Sequence, residues 1–316
     1  MRLDTNTHNS LFLSFRLVHP LSPRGKIVHW GLEALASTTR LVESASRHVP
    51  HCVLRDKLYR VALTEKNVVQ MKATDASQFD FCRWLSKDEM DAVLGCNSLG
   101  GLELSNGCRA IHVPSYLEGL HAACQEMGKI EWRTTNELQD VRNHDVVVWA
   151  GGSGMLQDRV LDRKSLPVEL VRGQSLELSP SENVPREAAN CGKYISPMLD
   201  NRMVVGATHE FKEKPLTAEE VYDELKEKSY DIAPTLWDNS TVDRITCGYR
   251  VQSQRTHLGR LPIMGHLSDN QWIFTGLSSR GLLHHGIYAE KLADMILSSD
   301  GGAAVTKEHP HLNWWR

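Results

Sequence analysis

The segment WIFTGLSSRGLLHHG, residues 272–286, reads as a strand, a tight turn at Gly276 and Gly281, and the opening of a helix. Arg280 stands just before that helix. Amides at a helix N-terminus lack partners within the helix and favour negative charge, so a strand running into such a turn suits an anionic or electron-rich ligand. Upstream, GYRVQSQRTHLGRLPIMG (248–265) begins as a strand carrying Arg250 and later reaches L-P-I-M-G. The ordinary reading of a lone arginine there is a surface ion pair of little energetic weight. Further back, VVVWAGGSGM (146–155) is an apolar strand ending in Gly151, Gly152, Ser153 and Gly154. Small residues let a ligand approach the backbone closely, because glycine has no Cβ in the way. The run is not G-x-G-x-x-G, and turn glycines are common, so alone it is a weak signal.

The bulk numbers bound what surrounds these segments. With 41% hydrophobic and 24% charged residues, the composition is that of a soluble globular protein. Lys and Arg number 36 against 39 Asp and Glu, a net charge of −3 that argues against a general grip on nucleic acid. Cys52, Cys82, Cys96, Cys108, Cys124, Cys191 and Cys247 form no C-x-x-C pair, and an odd number suggests reduced thiols, not a disulfide framework. Their spacing gives no zinc site. No apolar run is long enough for a membrane-spanning helix. The opening MRLDTNTHNSLFLSF lacks the basic head and apolar stretch of a secretory signal, and Asp4 makes it a poor transit peptide. An intracellular protein of the cytoplasm or an organelle is expected, and the chain reads as though it begins in mid-domain.

Periodicity predicts helices over 26–47, 87–95 (capped by Ser86), 114–127, 218–232 and 281–298. Strands are expected at 57–63, 129–135, 145–150, 168–178, 193–198, 202–208, 241–252 and 271–277, with a hairpin turn at Leu199, Asp200 and Asn201. The apolar run at 145–150 suggests burial on both sheet faces. The fold class is therefore α/β with α+β character: α/β first, antiparallel β with one helix next, then β and α again. Two interleaved domains account for this order. One comprises residues 1–50, 105–165 and 259–316, the other 51–104 and 166–258.

Five segments, in order, resemble the D-amino-acid oxidase/glycine oxidase family, which includes the oxidase domain of the bacterial tRNA-wobble-uridine modification enzyme. They are LVHPLSPRGK (17–26), VRGQSLEL (171–178), KYISPMLDNRMVVGATHEF (193–211) and the two segments around Arg250 and Arg280. The resemblance implies a Rossmann-like FAD-binding domain with an interleaved antiparallel substrate domain. It implies FAD as cofactor and hydride transfer to flavin from a carbon beside an amine. Oxygen would reoxidise the flavin, giving imine and peroxide. Carried over, Arg250 and Arg280 would hold a substrate carboxylate and Tyr194 would lie beside the substrate. Gly276, Leu277, Ser278, Ser279, Gly281 and Leu282 would pass along the flavin ring, and Gly151 and Gly152 would approach from the other strand. His284 and His285 are expected to pack or cap.

The family's opening strand, G-x-G-x-x-G turn and helix, which cradle the FAD pyrophosphate, have no match here, so the Rossmann-like domain is expected to be incomplete. Weak flavin binding by this chain follows as an expectation. Three functions compete: oxidation of a small amino acid or carboxylate-bearing amine, oxidation of a modified tRNA base, or a flavin-free binding role for a truncated, non-catalytic isoform. The turn S-S-R-G-L (278–282) favours the second over glycine oxidase, whereas the charge balance does not.

Overall fold

The computed structural model describes residues 2–3, 16–128, 130–131, 144–157, 166–212 and 214–316. The expected strand at 129–135 and the N-terminal stretch read for targeting signals lie largely outside these residues. Among the described residues, no helix is long and apolar enough to cross a membrane.

The architecture is mixed α/β and is organised by one long antiparallel pair. Val168–Pro180 pairs with Ser240–Ser253 from Ser240↔Pro180 to Ser253↔Val168. On its other edge, Val168–Pro180 receives Met203–Gly206, the second arm of a hairpin with Lys193–Pro197. The sheet continues through Ala189–Cys191, Leu58–Val61, Gly101–Leu104 and Cys82–Leu85. Most of its pairs are antiparallel; Ala189–Cys191 instead runs parallel to Leu58–Val61, and Arg2–Leu3 parallel to Ser240–Ser253. At the hairpin tip, Asp200 and Asn201 have φ of 59° and 61°. Two successive left-handed residues suit a tight hairpin with right-handed strand twist, and Asp and Asn tolerate that conformation.

Alternation gives the sheet two unlike faces. Ile245, Leu176, Val205, Ile195, Ala189 and Tyr59 stand in register across adjacent strands. They belong to a core that includes Val221 and Leu225 of the helix Ala218–Ser229. The neighbouring row, Thr246, Ser175, Gly206, Tyr194, Asn190 and Arg60, lies on the opposite face. This polar row faces the remainder of the molecule.

An ion cluster around a buried carboxylate joins two adjacent strands to the turn that precedes a third. The Glu177 side chain is 2% exposed and accepts hydrogen bonds from Arg202 Nη1 at 2.7 Å and Arg244 Nη2 at 3.0 Å. Arg244 lies just past a register shift after Val242. The clasp therefore sits where the long pair resumes regular register.

A second, three-stranded sheet places Val147–Trp149 parallel to Gln271–Thr275, which pairs antiparallel with Ile263–Ser268. Val147 and Trp149 are buried, but Val146 and Val148 are 44% and 41% exposed, so the expected burial on both faces does not occur. Among the described residues the strand stands at the sheet edge and packs through one face only. At the other edge, the indole N–H groups of Trp314 and Trp315 donate to Pro262 O and Met264 O at 2.9 Å each. Arg316 donates to His266 O. Side chains thus occupy carbonyls that an open edge would expose.

The first long helix is Gly31–His48, starting later than its periodicity suggests because Leu21 and Ile27 bridge and the Ser22 amide donates to Lys26 O at 2.7 Å. The helices Lys87–Leu94 and Ala218–Ser229 open with capping boxes, Ser86 with Glu89 and Thr217 with Glu220. The helix Glu65–Asp75, with little amphipathic pattern, went unread in the sequence, as did the strands Cys82–Leu85, Gly101–Leu104 and Arg109–Ile111. Val113–Met127 is capped by His112, whose Nδ1 accepts from the Ser115 amide at 3.4 Å.

Two stability predictions follow from these contacts. Replacing Glu177 with Ala leaves two arginines facing each other and should cost about 2–3 kcal/mol in urea unfolding, less than for a fully buried pair because both arginines reach solvent. Burial, then the nearby Arg16 charge, pushes the His112 imidazole down to about 4. The unfolded chain then binds the proton more readily, so stability is full above pH 6.5 and falls as pH drops towards 4. His112→Asn, a cap that does not titrate, should flatten thermal stability across that window; an unchanged slope would remove His112 from the cause.

Candidate functional site

The parallel pairing of Val147–Trp149 with Gln271–Thr275 brings two C-terminal strand ends to the same side. In α/β sheets, ligands bind beyond such ends. Here a cleft opens there, with Gly152 and Ser153 in its wall from the first strand end. Gly276, Leu277, Ser278, Ser279, Gly281 and Leu282 line it from the second, and Arg250 lines the same cleft. Eight of the residues singled out from sequence thus converge, counting Gly152, Arg250 and the six of the turn. Gly151 is exposed beside them, its amide directed at Met155 Sδ at 3.1 Å.

The turn is held from both sides. Leu277 bridges to Gln252 at the end of the long strand, and the Ser253 amide donates to Ser278 Oγ at 3.2 Å. Ser278 itself has φ of 54°, an uncommon conformation for a residue with a side chain. From the helix Gly31–His48, the Thr38 hydroxyl contacts Leu282 O at 3.1 Å and Leu283 O at 2.9 Å. The first turn of Gly281–Leu297 is therefore fixed with its amide end beside the cleft.

Two glycines clear the sheet face for the larger side chains. A Cβ on Gly173 would lie 2.6 Å from Arg250 Nη2, and one on Gly206 would lie 2.7 Å from Tyr194 Oη. Arg250 crosses Gly173 to donate to Thr208 O at 2.8 Å, with Nη1 3.5 Å from His209 Nδ1. Tyr194 is buried, its hydroxyl 3.5 Å from Ser175 Oγ across Gly206. The R-G-Q and G-A-T segments are in this way parts of one packing arrangement. The Gln174 amide donates to Thr208 Oγ1 at 2.8 Å, and Arg172 and Glu210 exchange backbone bonds at 2.9 Å each.

Arg280 faces elsewhere. Its Nη2 donates to Leu21 O at 3.0 Å, and it lines a cavity of about 420 Å³ together with Arg60, His19, Asn190 and Lys193. Burial, then the like charge of Arg60, pushes the Arg280 guanidinium down to about 10, still cationic at neutral pH. Burial, then Arg280 and Arg60, lowers the His19 imidazole well below its ordinary value. Arg60 was missed in the sequence. The signal was an arginine in phase with Leu58 and Ala62 on a strand whose inward positions should be apolar. His284 is buried, and His285 packs through Nε2 against Tyr116 Oη at 2.7 Å, as their expected packing role requires.

Small residues in two walls of the cleft could admit a flat group, and a helix N-terminus would favour negative charge on it, the two features that the ring end of a flavin would need. The diphosphate end has no such fingerprint within the 316 residues, which contain no G-x-G-x-x-G.

Comparison with known proteins agrees with this geometry. The tRNA 5-methylaminomethyl-2-thiouridine biosynthesis bifunctional protein of Marinobacter nauticus is 27% identical over 268 residues, covering 72% of this chain. The chain spans 42% of that relative's length. The fold is similar to that of iminodiacetate oxidase from Chelativorans sp. BNC1, with a TM-score of 0.71, 18% identity, and coverage of 93% of this chain and 87% of that one. Glycine oxidase from Bacillus cereus has a TM-score of 0.68 at 17% identity, with the same coverage of 93% and 87%. The sequence profile described as FAD dependent oxidoreductase matches residues 7–295, and the chain belongs to that family.

Proposed function

We propose that this chain oxidises a small amine or amino acid bearing a carboxylate, with FAD as hydride acceptor and oxygen as final oxidant, giving an imine and peroxide. The observation that supports it most is the placing of Arg250 in one cleft with the turn 276–282 and the helix start at Gly281. A guanidinium presents a planar fork of donors that matches a carboxylate. Tyr194, on the same sheet face, would lie beside the substrate. FAD, when bound, supplies the two-electron acceptor. The chain's own residues would supply position and field. Arg250 would orient the substrate through its carboxylate, the turn 276–282 would hold the flavin ring, and the amides of the first helical turn would stabilise negative charge there. In this reading, residues 1–50, 105–165 and 259–316 form the flavin-binding unit, and 51–104 and 166–258 the substrate unit.

A second reading, in which the amine belongs to a modified tRNA base, is supported by the Marinobacter relative and by the turn S-S-R-G-L. The net charge of −3 gives it no further support. Comparing a free modified nucleoside with small amino acids as reductants of the bound flavin would separate the two.

The direct test is an absorbance spectrum from about 300 to 550 nm before and after adding FAD, where bound flavin absorbs. Uptake of flavin, bleaching by a carboxylate-bearing amine without air, and peroxide in air are expected. Failure to take up flavin, even in excess, would assign a binding role to this chain in place of oxidation. Arg250→Met should weaken binding of the carboxylate-bearing amine by about 10- to 100-fold without altering the flavin spectrum. An unchanged affinity would remove Arg250 from the substrate site.

A further inference from the structure

Arg60 is 6% exposed, deep in the polar row that also holds Tyr194 and Asn190. Its Nη1 and Nη2 donate to Ser22 O at 2.9 Å and Pro23 O at 3.0 Å. Its Nε–H is buried with no acceptor. Arg280, on the wall of the same cavity, donates to Leu21 O. Backbone carbonyls satisfy some of these donors, but they do not balance two full charges. Among the described residues, neither arginine has a carboxylate within ion-pair distance, and no Asp or Glu lines the cavity.

The other polar groups there do not supply the missing charge. Lys193 is already bound to Glu224 at 2.8 Å. His19 Nδ1 accepts from the Leu21 amide at 3.3 Å, which requires a neutral ring, and its Nε2 lies 3.3 Å from Asn190 Nδ2. Arg60 is buried and Arg280 half-buried, and two such like charges without a counter-ion are costly; the cost falls when an anion enters beside them. The cavity shares Ser279 and Leu282 with the cleft lined by Arg250. Both cation sites therefore border one turn.

We propose that Arg60 and Arg280 hold a second carboxylate of the substrate, so that the ligand of this chain is a small dicarboxylic amine. The proposal rests on the oxidase reading for the identity of the ligand as substrate. Arg60 acts as a specificity residue, selecting for a second acidic group. A phosphoryl group would meet the same guanidiniums, and a separate probe distinguishes it.

The experiment is isothermal titration of the purified chain with glutarate, butyrate and pyrophosphate, in parallel with the flavin spectrum. Glutarate is expected to bind about tenfold or more tightly than butyrate, because the second carboxylate gains charge-assisted hydrogen bonds. Arg60→Met should remove that preference, lowering glutarate affinity by more than butyrate affinity. Arg60→Lys, which keeps the charge but not the fork, should retain part of it, and it carries the test if the Met variant fails to fold. Equal affinity for glutarate and butyrate, or a preference that survives Arg60→Met, would overturn the proposal. So would pyrophosphate displacing glutarate with higher affinity, which would give the cavity to a phosphate group. A glutarate preference in protein that takes up no flavin would leave the two-arginine site standing while the oxidase reading falls. Flavin uptake and peroxide formation without any preference would do the reverse.

Discussion

The register between Val168–Pro180 and Ser240–Ser253 is the constraint on which the rest depends. Side chains alternate along a strand, so a slip by one residue would move every group to the other face. Near one end of the pair, Glu177 holds Arg244 and Arg202 just beyond the register shift after Val242. Near the other, Arg250 lies over Gly173 and Gln252 bridges to Leu277. With the first end fixed, Arg250 comes onto the cleft side and the turn is held against the strand end. The same register puts Ile245 and Leu176 under the helix Ala218–Ser229. Burial of that apolar row therefore supports the polar row behind it.

The polar row could not be packed by matching shapes alone. Large groups crossing a sheet need small ones beneath them, and Gly173 and Gly206 supply that space. A Cβ at either position would meet Arg250 or Tyr194 well inside contact distance. The bonds between the R-G-Q strand and the segment Thr208 to Glu210 then hold the cleared surface rigid. Precision of this kind is what a binding site requires from its supporting residues.

Much of this was legible in the sequence because it is local. The turn at Asp200 and Asn201, the Ser86 cap and the strand–turn–helix at 272–286 depend on residues near one another in the chain. The convergence of Arg250 with the turn is not local, and only the resemblance that ordered the segments pointed to it. The helix Glu65–Asp75 was not legible, because its apolar residues form no stripe. Arg60 showed only as an arginine in phase with apolar residues; that it lines a cavity with Asn190 and Arg280 depends on pairings such as that of Ala189–Cys191 with Leu58–Val61. That pairing joins residues far apart in sequence, and periodicity carries no information about such partners. The exposure of Val148 was missed for a related reason: an apolar run does not state how many of its faces will be covered.

Arg60 and Arg280 also have a structural function that is separate from any ligand. Their donors reach the carbonyls of Leu21, Ser22 and Pro23, so one short segment is bound both to the sheet and to the helix start. Hydrophobic residues of similar volume would pack there with less desolvation cost, and replacing buried charges in this way is often stabilising. They could not, however, fix those carbonyls in place, nor present a positive field to the cavity. The energetic burden of two cations without a counter-ion, Arg60 buried and Arg280 half-buried, is thus tied to the position of the turn that both the cleft and the cavity share. An anion held there would offset that burden at the very segment that sets the turn's position.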